Sequence, residues 1–312
     1  MLALAFLLLL SACGAGEKKQ YKVVTTIFPL YDWAGQVLGE DSDTELILLQ
    51  DSGVDLHSYQ PTAADMAHIA GCDLFIYVGG ESDEWVEEAL KNKSNSKRIE
   101  LNLMETLGDR LLEEEHKEGM QEQEEHEHEE AEEEEMDEHI WLSLKNAGLC
   151  TEAIRDALMQ VNASRAQAYE ASTAAFTGRL SELKKAYEAA AAGAVTRTLL
   201  FGDRFPFRYL TEELGLDYYA AFSGCSAETE ASFETVIFLA KKLDELGLKV
   251  VLQTENGTGK LAQTIIDSSE GKNQRILQMD SLQSVTRQRI QEGASYLGIM
   301  EQNLEVLKEA LK

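Results

Sequence analysis

From Ala163 to Ala192 the chain reads as one unbroken helix. The stretch is rich in Ala, Glu, Lys and Leu, all good helix formers, and it contains no Pro. At the usual rise per residue it spans about 45 Å, as long as a domain is wide. A compact chain must therefore arrange itself along this rod. The full length of 312 residues leads us to expect two domains, each large enough for its own core. The expected divisions are an N-terminal lobe over 21–150, linking helices over 151–193 and a C-terminal lobe over 194–312.

What flanks the rod is an alternation of strand and helix. Tyr21 to Phe28 is rich in β-branched residues and reads as a buried strand, with a helix from Pro29 to about Leu38. Thr44–Leu49 and Asp73–Val78 are further strands, and Thr62 with Asp65 three residues on reads as a capping-box start between them. A helix near Asp83–Leu90 and a strand near Arg98–Leu101 complete this half, and Trp141–Leu158 opens the next helix. Beyond the rod, strands are expected at Thr196–Phe201, Asp217–Phe222, Leu248–Thr254 and Gln274–Met279. Helices are expected at Phe207–Leu214, Phe233–Leu246, Gly259–Ser269 and Tyr296–Lys312. Such alternation gives parallel sheets covered by helices on both faces. The expected architecture is two α/β lobes joined by a long rigid spine helix, with small relative motion.

One stretch interrupts the pattern. Glu113 to Trp141 holds four of the six histidines, His116, His126, His128 and His139, among a dense run of Glu. It carries more than half of the net charge of -28. A segment so charged cannot bury enough apolar surface to offset the entropy of ordering it, so 113–138 is expected to be a solvated, mobile loop. Acidic runs are usually plain solvated linkers. Interleaved imidazoles in a chain otherwise poor in His instead suggest an auxiliary metal loop with His116, His126 and His128. The negative field excludes nucleic acid as a partner and favours a small cation.

The first residues, MLALAFLLLLSACGAG, hold an apolar run too short to span a bilayer comfortably, followed at once by Leu10-Ser11-Ala12-Cys13. This is the cleavage context of a secretory signal over 1–12. It is similar to a bacterial lipoprotein box in which Cys13 is lipidated, with 13–20 as the linker and the mature chain held outside the cytoplasmic membrane. Cys72, Cys150 and Cys225 remain. Their odd number gives no disulfide framework, and no CxxC spacing exists. Each is read as small core filler.

Ligands of open α/β sheets bind at the carboxyl ends of the strands. There the pattern delivers His57, His139, Asp203 with Arg204, and Asp280. Two histidines with one or two carboxylates suit Zn²⁺ or Mn²⁺. Tyr59 and Glu255 are candidates to orient these ligands, whereas His68 reads as structural and Asp280 could instead cap a turn.

Several segments together resemble a known family. They are VVTTIFPLYDWAGQVLGE, GVDLHSYQPTAADMAHIAGCDLFIYVGG, the His-rich insertion, DEHIWLSLKNA, FPFRYLTEELGLDYYAAF, VVLQTEN and ILQMDS. The chain is similar to the cluster A-I solute-binding lipoproteins, the metal-binding subunits of bacterial zinc or manganese ABC importers. The resemblance implies His57, His139 and Asp280 as metal ligands, and the His-rich insertion implies the zinc branch. The family's third ligand, usually His or Glu, falls on Arg204 here. A guanidinium repels a cation. Asp203 is left to supply an oxygen, and Arg204 to pair with a carboxylate and close the cleft.

The resemblance thus implies a monomeric protein that captures Zn²⁺ and hands it to a membrane permease driven by a separate ATPase. Manganese capture is the nearest alternative, and some relatives are also called adhesins. An extracytoplasmic metalloenzyme is disfavoured, because the sequence has no HExxH or G-x-S-x-G motif. With no Walker A motif, the chain itself hydrolyses no nucleotide.

Overall fold

The computed structural model describes residues 20–121, 135–226 and 230–312. Cys13, His126 and His128 lie outside the described residues, as do the expected signal segment and nearly all of its linker. In the N-terminal lobe the elements run β1 (Tyr21–Thr25), α1 (Phe28–Leu38), β2 (Thr44–Leu48), α2 (Ala63–Gly71), β3 (Leu74–Tyr77), α3 (Trp85–Lys91), β4 (Ile99–Asn102) and α4 (Leu103–Leu107). Two long helices follow, α5 (Leu144–Val161) and α6 (Ala166–Ala192). The C-terminal lobe comprises β5 (Thr198–Arg204), α7 (Arg208–Leu214), β6 (Asp217–Phe222), α8 (Phe233–Glu245), β7 (Val250–Gln253), α9 (Lys260–Ser268), β8 (Arg275–Gln278), α10 (Arg287–Gln291) and α11 (Tyr296–Ala310). Each lobe is built on a four-stranded sheet, in the orders β2-β1-β3-β4 and β6-β5-β7-β8. Every strand pair is parallel.

Local chemistry accounts for most boundaries. The Thr62 hydroxyl accepts from the Asp65 amide while the Asp65 carboxylate accepts from the Thr62 amide, so the capping box is complete. Ser143, Ser232, Thr286 and Ser295 cap α5, α8, α10 and α11 in the simpler way. Gly215 ends α7 in the left-handed conformation that a Cβ would penalise. The expected strand ending at Phe201 runs on to Arg204, because Arg204 still pairs with Phe222 across an irregularity in the ladder. Asp203 and Arg204 therefore sit at the end of a strand rather than in the loop after it. Two short helices, α4 and α10, carry no strong period in the sequence and were not expected.

The spine buries Tyr169, Thr173, Phe176, Leu180, Leu183, Tyr187 and Ala191. Their spacing of three or four residues places them on one face of the helix. That face packs against α1, α5 and α11. The largest buried cluster does not stop at a lobe boundary. It joins Val23, Trp33 and Ile76 of the first half to Leu199, Phe201, Val250 and Leu307 of the second. Smaller clusters lie on the outer faces, one containing Ile69, Phe75 and Val86, the other Val236, Leu239 and Ile265. Each sheet is thus covered on both faces, and the two lobes share their inner layer. Among the described residues, no helix is long and apolar enough to cross a membrane.

Within this inner layer Trp33 of α1 meets Tyr296 of α11 edge to face, with centroids 5.2 Å apart. Asp32 beside it has a pKa raised to about 6. Burial is the main cause, only partly opposed by hydrogen bonds from Tyr296 and Gln36 and by Arg179. Because the folded pKa exceeds the unfolded one, the protonated group supports the fold at low pH. That support is lost as pH rises from about 4 through about 6. A rise from 3.8 to about 6 corresponds to about 3 kcal/mol. Asp32→Asn should therefore flatten the fall in melting temperature between pH 4 and 7. An unchanged pH profile would remove Asp32 as its source.

Candidate metal centre

The site forms where two loops of the N-terminal lobe meet the C-terminal lobe. His57 lies on a short 3-10 turn, Leu56–Ser58, whose N-cap Asp55 accepts from the His57 amide. His139 immediately precedes another such turn, Ile140–Leu142, whose three residues are all buried. The two imidazoles approach to 5.5 Å between centroids.

Both rings are held by their Nδ1 atoms. Asp137 Oδ1 accepts from the His139 amide at 2.8 Å and lies 3.0 Å from its Nδ1. His57 Nδ1 lies 2.7 Å from Ser82 Oγ and 3.1 Å from Glu138 Oε1. The Ser82 hydroxyl donates to Glu138, so its oxygen is left to accept from His57. A carboxylate beside Nδ1 places the proton there and leaves the lone pair on Nε2. Both Nε2 atoms are buried without a hydrogen-bond partner. Buried polar atoms are nearly always paired, so two orphaned imidazole nitrogens on neighbouring rings mark these side chains as able to hold an ion.

The electrostatics suit a cation. Burial works against a charged His139, yet Asp137, with Glu138 and Glu114 behind it, outweighs burial and raises the ring's pKa. Glu138 is also resisted by burial. Its contact with His57, the nearby His139 and the Ser82 hydroxyl still bring it below the usual carboxylate range. The site is therefore a buried pocket of negative charge that favours a cation. Replacing Asp137 by Asn should weaken Zn²⁺ binding about 10- to 100-fold, since the amide no longer strengthens the imidazole as a donor. Zinc calorimetry checks this, and unchanged affinity would contradict it.

A third side chain with a metal-ligating atom lies beside the two histidines. The Cys225 sulfur and a nitrogen of each ring all lie within 4.8 Å of one another. Cys225 follows β6 in the turn Ser223-Gly224-Cys225-Ser226. This corrects its reading as core filler, which fits only Cys72 and Cys150, both buried. Burial and then Glu138, Glu114, Asp137 and Glu81 push the Cys225 thiol up in the metal-free protein. A sequence signal was present: Cys225 stands at the carboxyl end of a strand, like the other candidates.

Asp203 and Asp280, the expected carboxylate ligands, are not in this donor group. Asp203 Oδ2 accepts from the Thr254 amide at 2.9 Å and its hydroxyl at 2.7 Å, while Oδ1 accepts from the Arg204 amide. It lines a separate cavity with Gly202, Thr254 and Gly257. Asp280 accepts from the Leu282 amide and pairs with Arg289 at 2.7 Å. Arg204 forms a 2.6 Å ion pair with Asp55 and so ties β5 to the turn that carries His57. The pair lowers the Asp55 pKa against the opposing effect of burial. Tyr59 donates to Asp65, and Glu255 accepts from the Ser281 amide and from the hydroxyls of Ser281 and Ser284. Neither of these two bonds a histidine of the site directly. His116 is exposed.

The acidic stretch is not uniformly solvated. Asp137 and Glu138 are 2% and 1% exposed, and Met120 is buried as well. Glu113 and Met136 form an antiparallel bridge, and the Gln121 amide donates to the Ala221 carbonyl. Composition concealed this, because the acids that serve the site look like those beside them.

Comparison with known proteins follows the same lines. Residues 23–310 match the ZnuA family, described as zinc-uptake complex component A, periplasmic. The chain is 29% identical over 315 residues to the high-affinity zinc uptake system protein ZnuA of Bacillus subtilis, covering 98% of this chain and 95% of that one. It is 27% identical over 294 residues to the zinc-binding protein AdcA of Streptococcus pyogenes, covering 92% of this chain and 55% of the relative. The chain thus spans about half the length of such streptococcal relatives. The Zn(II)-bound ZnuA-like domain of Streptococcus pneumoniae AdcA superposes with a TM-score of 0.73 at 26% identity, covering 94% of this chain and 99% of that one. With two α/β lobes, paired histidines between them and a match across nearly the whole chain, the protein belongs to the ZnuA family of zinc-uptake components.

Proposed function

We propose that this chain captures Zn²⁺ between its lobes and delivers it to an ABC permease powered by a separate ATPase. The observation that carries this reading is the pair of buried, unpartnered Nε2 atoms of His57 and His139. Zinc takes imidazole nitrogens readily, so the same two atoms are its donors. Asp280 joins them by exchanging its Arg289 partner for the ion. Zinc is preferred to manganese because the described donors are nitrogen and sulfur, whereas manganese suits oxygen.

The mature protein works outside the cytoplasmic membrane as a monomer, held by a lipidated Cys13. The His-rich segment, with His116, His126 and His128, concentrates metal for the cleft. Its flanks belong to the structured lobe, so a loop deletion should be confined to 122–134. Calorimetry of Zn²⁺ and Mn²⁺ on the full mature chain tests the reading. The expected result is one tight zinc per chain that survives that deletion and exceeds manganese. Loss of the site with the loop, or tighter manganese, would overturn it.

A further inference from the structure

We propose that Cys225 supplies a thiolate donor to the captured ion, making this a nitrogen-and-sulfur cargo site. The inference rests on the cleft reading above and goes further, by naming a donor beyond the two imidazoles.

Three observations converge on it. The sulfur lies with the two imidazoles inside one 4.8 Å group, and both imidazoles have an unpartnered buried Nε2. The ring of His139 is fully buried. Next, Arg204 at the end of β5 is committed to Asp55 and offers the cleft a cation instead of a donor. That position cannot serve a cation. The neighbouring strand β6 instead delivers Cys225 from its own carboxyl end, across the sheet from β5.

Finally, the turn is shaped to bring the thiol in. A Cβ on Gly224 would stand 3.0 Å from His139 Cε1 and 3.2 Å from its Nδ1, so glycine permits the close approach. The Cys225 amide donates to Glu114 Oε1 at 3.1 Å, and its sulfur sits 3.8 Å from Glu138 Oε1. Glu138 thereby touches His57, Ser82 and Cys225 at once.

The chemistry balances simply. On binding, the S–H bond breaks, a metal–sulfur bond forms and the proton leaves to solvent. Two nitrogens and one sulfur are three of the four donors of a tetrahedral zinc. A thiolate also favours zinc over manganese, which gives the site selectivity without a second histidine-rich element.

Cobalt(II), titrated into the intact mature protein, reads the sulfur directly. The expected result is a sulfur-to-cobalt charge-transfer band in the near ultraviolet that saturates at one equivalent and disappears in both Cys225→Ser and Cys225→Ala. Zinc affinity of Cys225→Ser should fall at least about a hundredfold, since even groups behind the ligands cost 10- to 100-fold. Suppose cobalt and zinc bind one to one and binding is lost in His57→Ala, but no such band appears and Cys225→Ser binds zinc as tightly as the parent. The thiolate is then overturned and the cleft stands. Absence of one-to-one binding, or binding indifferent to His57→Ala, would overturn both. Because the band is read in the unmodified protein, a variant that failed to fold would leave the decision intact.

Discussion

His139→Ala should abolish stoichiometric zinc capture and destabilise the metal-free protein. The loss of affinity should exceed about a hundredfold, because a donor is removed rather than a group that orients one. The second effect comes from burial. His139 Nδ1 lies 3.0 Å from Asp137 Oδ1, and the two side chains are 0% and 2% exposed, so the ring is the buried partner of the Asp137 carboxylate. Removing one partner of such a pair costs about 3–5 kcal/mol, since the other charge is left buried. The outcome is read by zinc titration together with denaturant unfolding in a chelator. His68→Ala is the control. His68 lies in α2, outside the donor group, and its replacement should leave zinc affinity unchanged. Equal zinc affinity in His139→Ala and the parent would remove His139 from the site.

Trp141→Ala should have the next largest effect, and it should act on both stability and binding. The indole is fully buried and lies 5.2 Å from the His139 ring, tilted against it. Its Nε1 donates to the Ser281 carbonyl of the C-terminal lobe at 2.8 Å, while Tyr296 of α11 donates to the Trp141 carbonyl at 2.6 Å. One residue thus packs the ligand, fills the shared core and bonds the opposite lobe. Truncating a buried Trp costs about 3–5 kcal/mol. Zinc affinity should fall about 10- to 100-fold as the ring of His139 loosens. Trp141→Phe separates the two contributions. It keeps an aromatic ring against His139 and loses chiefly the N–H bond, worth about 1 kcal/mol. If Trp141→Ala weakened zinc no more than Trp141→Phe, the indole would be a core residue without a role in positioning the imidazole.

The sheets were legible because their strands are short, largely apolar runs set between turns and capped helices, and β6 was read to the residue. The spine was legible because nothing in it breaks a helix. What escaped was whatever depends on contacts between distant segments. The last residues of β5, Gly202-Asp203-Arg204, have no strand character of their own and are extended because β6 lies alongside. The sharing of one core by both lobes leaves no mark on either half separately.

The site divides in the same way. His57 and His139 stood out because the pattern delivers them to the carboxyl ends of the strands in a chain poor in His. Asp137 and Glu138 were lost in the composition of the acidic run, although both are buried. Cys225 was passed over because a single thiol has no spacing partner in the sequence. Its partners are two histidines 168 and 86 positions away. Asp203 and Asp280 were chosen by the rule that strand ends carry ligands. In the folded chain their carboxylates serve backbone amides, Thr254 and Arg289.

The central claim is that the ion sits between the imidazoles of His57 and His139, inside the cleft. Crystals of the mature protein grown with one equivalent of Zn²⁺, with diffraction measured on both sides of the zinc absorption edge, test it most directly. The account predicts one strong anomalous peak, about 2.0–2.1 Å from both Nε2 atoms. A peak held only by the acidic segment, or one beside Asp203 and away from both rings, would contradict it.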